Sequence, residues 1–212
     1  MKNNRNFLFY GIGSVAFGIK GNAFSWFLFF YYNMVIGLPA WMASLALAIA
    51  TIWDAISDLI IGYSSDHTKS RLGRRHPYMY AALIPVPIFF ILLWNPPTFD
   101  TDFNLFLYLL VMAVLVRTFT TLFEIPNQSL GPEITREYHE RTKMMSLRYF
   151  FGWMGGTVMT ILMYFVFLKP TVEYPNGQLN PEGYQIYGFV AAIIMLVAMI
   201  ASSRGLNHLI PN

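Results

Sequence analysis

The chain has 212 residues, of which 56% are hydrophobic and only 12% are charged, about half the charged fraction of a soluble domain. A soluble core inside a polar surface cannot be built from this composition, so the sequence predicts an integral membrane protein. The lack of cysteine excludes disulfides, thiolate metal sites and cysteine nucleophiles. The formal charge of +3 is too small to indicate a nucleic-acid partner.

Six mostly apolar stretches are long enough to cross a bilayer as helices, which takes about 20 residues. The predicted spans cover residues 7–32, 41–63, 78–94, 104–126, 149–168 and 184–203. Turn-forming residues separate them, and Pro85 and Pro87 should bend the third span. The first stretch follows basic residues, as the apolar part of a signal peptide does. It is too long for a signal peptide and carries Lys20 in its middle, so we interpret it as a true span.

Lysine and arginine are distributed very unequally between the two sides of the predicted bundle. Eleven lie on one side, one lies on the other, and two lie within spans. The eleven are Lys2, Arg5, Lys69, Arg71, Arg74, Arg75, Arg136, Arg141, Lys143, Arg148 and Arg204. Because basic loops remain in the cytoplasm, both termini are predicted to be cytoplasmic. Near the opposite boundary the sequence predicts an aromatic belt of Trp41, Trp94, Tyr174 and Tyr184.

Several ionisable residues fall within the predicted spans, where a charge usually faces a cavity or an opposite charge. They are Lys20, Asp54, Asp58, Arg117 and Glu124, and Arg148 lies at the start of the fifth span. Because basic and acidic residues are nearly balanced, we expect them to pair with one another. Arg117 and Glu124 lie about 10 Å apart along one helix, so they should use different partners. We expect Arg117 to pair with Asp54.

Asp54 and Asp58 form the centre of a polar face on the second span. Thr51 lies three residues before Asp54, and Asp58 lies four after it, so these residues share one helical face, with Ser57 beside it. Carboxylate and hydroxyl oxygens suit a hard monovalent cation, and two adjacent carboxylates repel, so one of them can carry a proton. The sequence leaves Na+ and H+ both open. An aspartate pair neutralised by basic side chains, without any ion, also stays open.

The fourth span carries a polar stripe that cannot face lipid. Its residues at helical spacing are Arg117, Thr121, Glu124 and Gln128. The stripe predicts either the wall of a water-filled path or a polar seam against the second span. In the first span, Trp26 is a candidate to stack on the apolar face of a sugar, although a tryptophan within a span more often serves packing.

The loop after the second span combines glycines with charged residues at short spacing. Its marked positions are Gly62, Asp66, Arg71, Gly73, Arg74 and Arg75. Glycine permits a tight reversal of the chain, and charge pairing within the loop would latch the cytoplasmic ends of neighbouring helices. We interpret the loop as a gating element. The pattern resembles the signature loop of the major facilitator superfamily.

Further motifs narrow this resemblance. Together with Trp53-Asp54-Ala55-Ile56-Ser57-Asp58, Glu124-Ile125-Pro126 and Arg148, the loop resembles the glycoside–pentoside–hexuronide:cation symporter family. The resemblance implies two six-helix bundles with the substrate between them. This chain would then be an all-α N-terminal bundle of six transmembrane helices over residues 1–205. Residues 206–212 would start a central cytoplasmic linker, and the C-terminal bundle is absent from the 212 residues.

The resemblance also implies site residues. The implied ligands of the coupling cation are Asp54, Ser57, Asp58 and Thr121. The candidate substrate contacts are Lys20, Trp26, Arg117, Glu124, Gln128 and Arg148. Among these, Glu124 and Arg148 match the polar sugar-binding positions of the family, so we expect Glu124 to accept hydrogen bonds from sugar hydroxyls. Gln128 departs from the pattern, because a member of the family has a sugar-stacking tryptophan there.

The sequence therefore predicts a Na+- or H+-coupled symporter of a sugar, glycoside or sugar acid. We expect it in a bacterial inner membrane, without a cofactor or enzymatic chemistry. One alternative is a non-transporting six-helix scaffold or sensor, against which the polar stripes on two helices argue. Another is a membrane phosphotransferase that holds a divalent metal on Asp54, Asp58 and Asp66. The Asp-Gly-x-x-Ala-Arg element of such enzymes is missing from the sequence.

Overall fold

The computed structural model of the chain describes residues 2–135 and 137–207, apart from the side chains of residues 2 and 3. Every regular element in this part is a helix. The α-helices are α1 (Lys2–Ile12), α2 (Ser14–Asn22), α3 (Leu28–Phe30), α4 (Ala40–His67), α5 (His76–Ala82), α6 (Pro85–Trp94), α7 (Asp102–Ser129), α8 (Gly131–Ile134), α9 (Tyr138–Leu162) and α10 (Pro181–Gly205). Arg136 and most of the predicted linker lie outside the described residues.

Five helical stretches in this part are long and apolar enough to cross a membrane. They are Ala40–His67, His76–Trp94, Asp102–Ile134, Tyr138–Phe167 and Pro181–Gly205. They coincide with the second to sixth predicted spans. Their length and composition support the prediction of an integral membrane protein built from helices.

The first predicted span is helical but divided. Gly13 separates α1 from α2, and the π-helical segments Ala23–Phe27 and Tyr31–Val35 flank α3. None of these pieces reaches the length of a membrane-crossing helix, so the sixth span stays a prediction. π-Helical turns are rare and concentrate at functional sites. Lys20 lies just before the first of them.

Prolines and capping side chains decide where several helices begin. The predicted bend of the third span is present as a break, because α5 ends at Ala82 and α6 begins at Pro85. Proline supplies no backbone N–H and clashes with the preceding helical turn, which favours a new start at this point. The side chains of Thr101 and Asn180 each accept a backbone hydrogen bond at the starts of α7 and α10.

Two helix pairs position the polar residues of the predicted spans. α2 packs along α9, and α4 packs along α7. The first contact depends on glycine, because a Cβ at Gly156 would lie 2.7 Å from the carbonyl oxygen of Gly18. Small residues at such an interface let two helical backbones approach closely. As a result, α2, α4, α7 and α9 surround the charged side chains of the candidate site.

The aromatic-belt prediction is wrong for Trp94 and Tyr184, both of which are fully buried. Tyr31 stacks on Tyr184 with ring centroids 4.7 Å apart, and its hydroxyl donates a hydrogen bond to the Trp94 carbonyl oxygen. The rings of Trp94 and Tyr184 are themselves stacked at 6.0 Å. Contact with the end of the first predicted span therefore draws these residues inward. Trp41, in contrast, is exposed as a belt residue would be.

Candidate ion and substrate site

Two carboxylates of α4 meet one hydroxyl of α7. The Thr121 hydroxyl lies 3.0 Å from Asp58 Oδ1 and 3.3 Å from Asp54 Oδ1. We call these three residues the carboxylate cluster. A hydroxyl has a single hydrogen to donate, so it satisfies only one of the two carboxylates at a time. The other carboxylate therefore needs another hydrogen-bond donor or a positive charge.

Two basic side chains lie against Asp54. Arg117 donates from Nη1 to Asp54 Oδ2 at 2.5 Å and from Nη2 to Thr51 Oγ1 at 3.1 Å. Lys20 Nζ lies 3.7 Å from the same Asp54 oxygen. The predicted pairing of Arg117 with Asp54 is therefore present. Among the described residues, Asp58 has no basic side chain within ion-pair distance, so the two aspartates differ in their neutralisation.

A second ion pair joins α7 to α9. Arg148 donates to Glu124 Oε1 and to Asn127 Oδ1, both at 3.2 Å. The Asn127 amide in turn donates to the Ser202 hydroxyl of α10 at 2.9 Å. Arg148 is buried and Glu124 is mostly so. The two residues predicted to bind sugar therefore contact each other, and they belong to a hydrogen-bonded network that links three helices.

A cavity of about 430 Å3 opens beside this second pair. It is lined by Ser14, Phe17, Gly18, Gly21, Asn22, Ser25, Glu124, Gln128, Arg148, Tyr149, Gly152 and Trp153. The wall combines an ion pair, amide and hydroxyl groups, aromatic rings and glycines. Polar groups that converge in a partly apolar cavity are typical of a small-molecule site. A cavity of this character can hold hydroxyl groups by hydrogen bonds and a flat apolar face against a ring.

The charged side chains around the carboxylate cluster and in the pair of Arg148 and Glu124 balance formally. Three basic and three acidic side chains take part, namely Lys20, Arg117, Arg148, Asp54, Asp58 and Glu124. The sequence-based expectation of mutual pairing is thus met by Asp54 and Glu124. Asp58 has no direct ion-pair partner among the described residues and is linked to the basic side chains through the Thr121 hydroxyl.

The loop between α4 and α5 links three helices through charged side chains. Arg75 lies 3.5 Å from Asp66 at the end of α4 and 3.3 Å from Glu133 of α8. Arg74 lies 3.1 Å from the same Glu133 oxygen. Gly73 adopts a φ of +77°, which glycine accepts without strain. The predicted charge pairing within the loop is therefore present, and it extends to Glu133, which lies beyond the end of the fourth predicted span.

Comparison with known proteins supplies the family. Residues 9–209 match the family described as MFS/sugar transport protein. An uncharacterized symporter of Synechocystis sp. is 32% identical over 93% of this chain and 37% of its own length. The inner membrane symporter YicJ of Escherichia coli is 28% identical, over 90% of this chain and 40% of its own length. The isoprimeverose transporter of Lactiplantibacillus pentosus is 26% identical, over 90% of this chain and 38% of its own length.

This chain belongs to the MFS/sugar transport family. The predicted membership of the glycoside–pentoside–hexuronide:cation symporter family, within the major facilitator superfamily, is confirmed. The members of this family are transporters rather than enzymes, which agrees with the prediction and does not favour the phosphotransferase alternative. The chain spans about two fifths of the length of the relatives that it matches.

The predicted site residues of this MFS/sugar transport protein fall into distinct positions. Asp54, Asp58 and Thr121 come together, whereas the Ser57 hydroxyl donates to the Asp54 carbonyl oxygen of its own helix at 2.9 Å. Glu124, Gln128 and Arg148 line the cavity, and Lys20 and Arg117 lie against Asp54 instead. Trp26 is 69% exposed and is not among the lining residues of the described cavity.

Sequence reasoning did not select three residues that the structure brings to these sites. Trp153, 76% exposed, lines the cavity beside Tyr149, and a search for aromatic residues within two turns after Arg148 would have found it. Asn127 lies beside the polar stripe of α7 and accepts a hydrogen bond from Arg148. Glu133 follows a Gly-Pro turn, and only its distance to the basic loop identifies it as a latch residue.

Proposed function

We propose that this chain is the N-terminal half of a cation-coupled symporter that transports a sugar, glycoside or sugar acid. Residues 1–205 would form a six-helix bundle, residues 206–212 would start the linker, and a second six-helix bundle would complete the transporter. The proposal is supported by two relatives named symporters and one named an isoprimeverose transporter, all about two and a half times as long as this chain. Alternating access would then arise from rocking of the two bundles around a site between them.

The observation that carries the coupling is the carboxylate cluster. The single hydroxyl hydrogen of Thr121 serves both Asp54 and Asp58, and Asp58 has no ion-pair partner among the described residues. A Na+ ion or a proton bound there would cancel the repulsion between the carboxylates. It would also tie α4 to α7. Ser57 is a further candidate ligand through the free lone pairs of its hydroxyl, although its own hydrogen is used within α4.

The cavity beside Arg148 is the proposed sugar site. Glu124 can accept hydrogen bonds from sugar hydroxyls, and Arg148 and Gln128 can donate them. Trp153 and Phe17 offer aromatic surface to the apolar face of a ring. Gln128 offers no aromatic ring to a sugar, and Trp153 offers one in the same cavity instead. The substrate proposed is therefore a ring with one hydroxyl-rich edge and one apolar face.

The proposed orientation rests on the distribution of basic residues. Eleven lysine and arginine residues fall on one predicted side and a single one on the other. The basic loop with its latch of Arg74, Arg75, Asp66 and Glu133 would then face the cytoplasm, as would both termini. Because the relatives include an inner membrane symporter, we place the protein in a bacterial inner membrane.

Gradient-driven uptake tests the proposal. The complete transporter that contains this chain is reconstituted in proteoliposomes, and uptake of isoprimeverose, a methyl pentoside and a glucuronide is followed under an inward Na+ gradient, an inward H+ gradient, or neither. We expect one gradient to accelerate uptake of at least one sugar. Asp58→Asn should lose that acceleration and retain sugar exchange, whereas Asp100→Asn, in the exposed loop before α7, should keep it. Uptake equal to protein-free liposomes under every condition would favour a non-transporting scaffold.

A further inference from the structure

The guanidinium of Arg117 already occupies part of the oxygen-bearing face that the sequence assigns to a cation. Its Nη1 lies 2.5 Å from Asp54 Oδ2, and its Nη2 lies 3.1 Å from Thr51 Oγ1. Asp54 and Thr51 are two of the oxygen donors on that face of α4. A covalently attached positive group therefore binds the same atoms that would bind an external ion.

A residue of the first predicted span also contacts Arg117. The guanidinium carbon lies 4.7 Å from the centre of the Phe24 ring, a distance typical of a cation–π contact. Phe24 belongs to the π-helical segment Ala23–Phe27. This interruption of the helix therefore supplies the ring that covers the guanidinium, and it fixes Arg117 over Asp54.

The hold on Arg117 is incomplete. Its buried Nε has no hydrogen-bond partner among the described residues. A buried donor without a partner raises the free energy of the arrangement, so this guanidinium is easier to displace than a fully hydrogen-bonded one. Thr51 lies three residues before Asp54 on the same face, roughly 4.5 Å along the helix. A shift of Arg117 toward Thr51 would free Asp54 and keep one of its hydrogen bonds.

An ion at the carboxylate cluster would meet this guanidinium at close range. Thr121 contacts both aspartates, so an ion that binds all three residues lies next to Asp54 and hence next to Arg117. Two like charges a few Å apart inside a bundle repel strongly. Ion binding at Asp54 and retention of the Arg117 contact therefore oppose each other.

We propose that Arg117 is a tethered cation that competes with Na+, bound as the coupling ion, for Asp54. It neutralises Asp54 when no ion is bound, it must leave Asp54 for the ion to bind fully, and it thereby lowers the affinity of the site. Lys20, at 3.7 Å from the same oxygen, is more distant and opposes the ion less. This inference rests on the proposed coupling site, and it adds the residue that sets the affinity of that site.

Direct ion binding tests the inference without any sugar. Calorimetric titration with NaCl, in choline chloride buffer, is carried out on the complete transporter that contains this chain and on its variants. We expect Arg117→Met to bind Na+ roughly tenfold or more tightly than wild type, and Arg117→Lys to gain less because it keeps a charge. Lys20→Met is the matched control, with a smaller gain. Asp54→Asn combined with Arg117→Met should abolish the gain.

Each outcome decides the inference. An unchanged, weaker or absent Na+ affinity in Arg117→Met, compared with wild type, overturns it. If Arg117→Met does not fold, Arg117→Lys decides in its place, and an Na+ affinity equal to wild type again overturns the inference. Failure of the proposed function is distinguishable, because it would show as lack of gradient-driven sugar uptake while Na+ binding still rises in Arg117→Met.

Discussion

Arg148 is the residue whose substitution we expect to destabilise the bundle most clearly. Its side chain is 8% exposed, and that of its partner Glu124 is 16% exposed. Arg148→Met removes the cation and leaves an unpaired carboxylate inside the bundle. Removal of one partner from a buried ion pair costs about 3–5 kcal/mol. We therefore expect Arg148→Met to unfold at a much lower temperature than wild type.

The double variant Arg148→Met with Glu124→Gln isolates the cause of this loss. Because neither charge remains, it should recover roughly 2 kcal/mol or more of the stability lost in the single variant. Thermal unfolding of the complete transporter that contains this chain, followed by tryptophan fluorescence in detergent, measures both. Arg74→Met is the control, since the exposed pair of Arg74 and Glu133 contributes less than about 1 kcal/mol. Equal unfolding temperatures for the single and double variants would refute the reasoning.

Two further predictions concern the substrate and the topology. Trp153→Leu should raise the KM for sugar uptake about fivefold, equivalent to about 1 kcal/mol of lost stacking, while Trp153→Phe keeps most of the affinity. Trp26→Leu, exposed outside the cavity, is the matched control and should keep the KM of wild type; an unchanged KM in Trp153→Leu would remove that ring from the site. Reporter fusions after Arg75 should be cytoplasmic and those near Asp100 external, and an external reporter after Arg75 would contradict the proposed orientation.

The pairing of charges shows how far sequence reasoning reaches. Helical periodicity placed Asp54 and Asp58 on one face, and the balance of charges predicted that Arg117 pairs with Asp54. The second ion pair was not predicted, because Glu124 was expected to accept hydrogen bonds from sugar hydroxyls. It contacts Arg148 instead. Residues on separate helices meet only through packing, and spacing within one helix does not determine that contact.

The breaks in the first span could not be predicted from the sequence, for a similar reason. Its apolar composition predicts one long helix, and nothing in the residue order marks the π-helical segments Ala23–Phe27 and Tyr31–Val35. Both segments bring aromatic side chains to distant partners, Phe24 to Arg117 and Tyr31 to Tyr184. Contacts of this kind form only when the helices pack together, so local helical propensity does not predict them.

The sequence by itself determined the class of the protein, because composition and the length of apolar stretches decide whether a chain enters a bilayer. Its short motifs determined the family and the face on which Asp54 and Asp58 lie, since helical spacing is a local property. Tertiary structure alone decided that Trp94 and Tyr184 are buried, that Trp153 lines the cavity, and that Glu124 pairs with Arg148. These facts depend on which helix faces which, and that is settled by close packing between segments far apart in the chain.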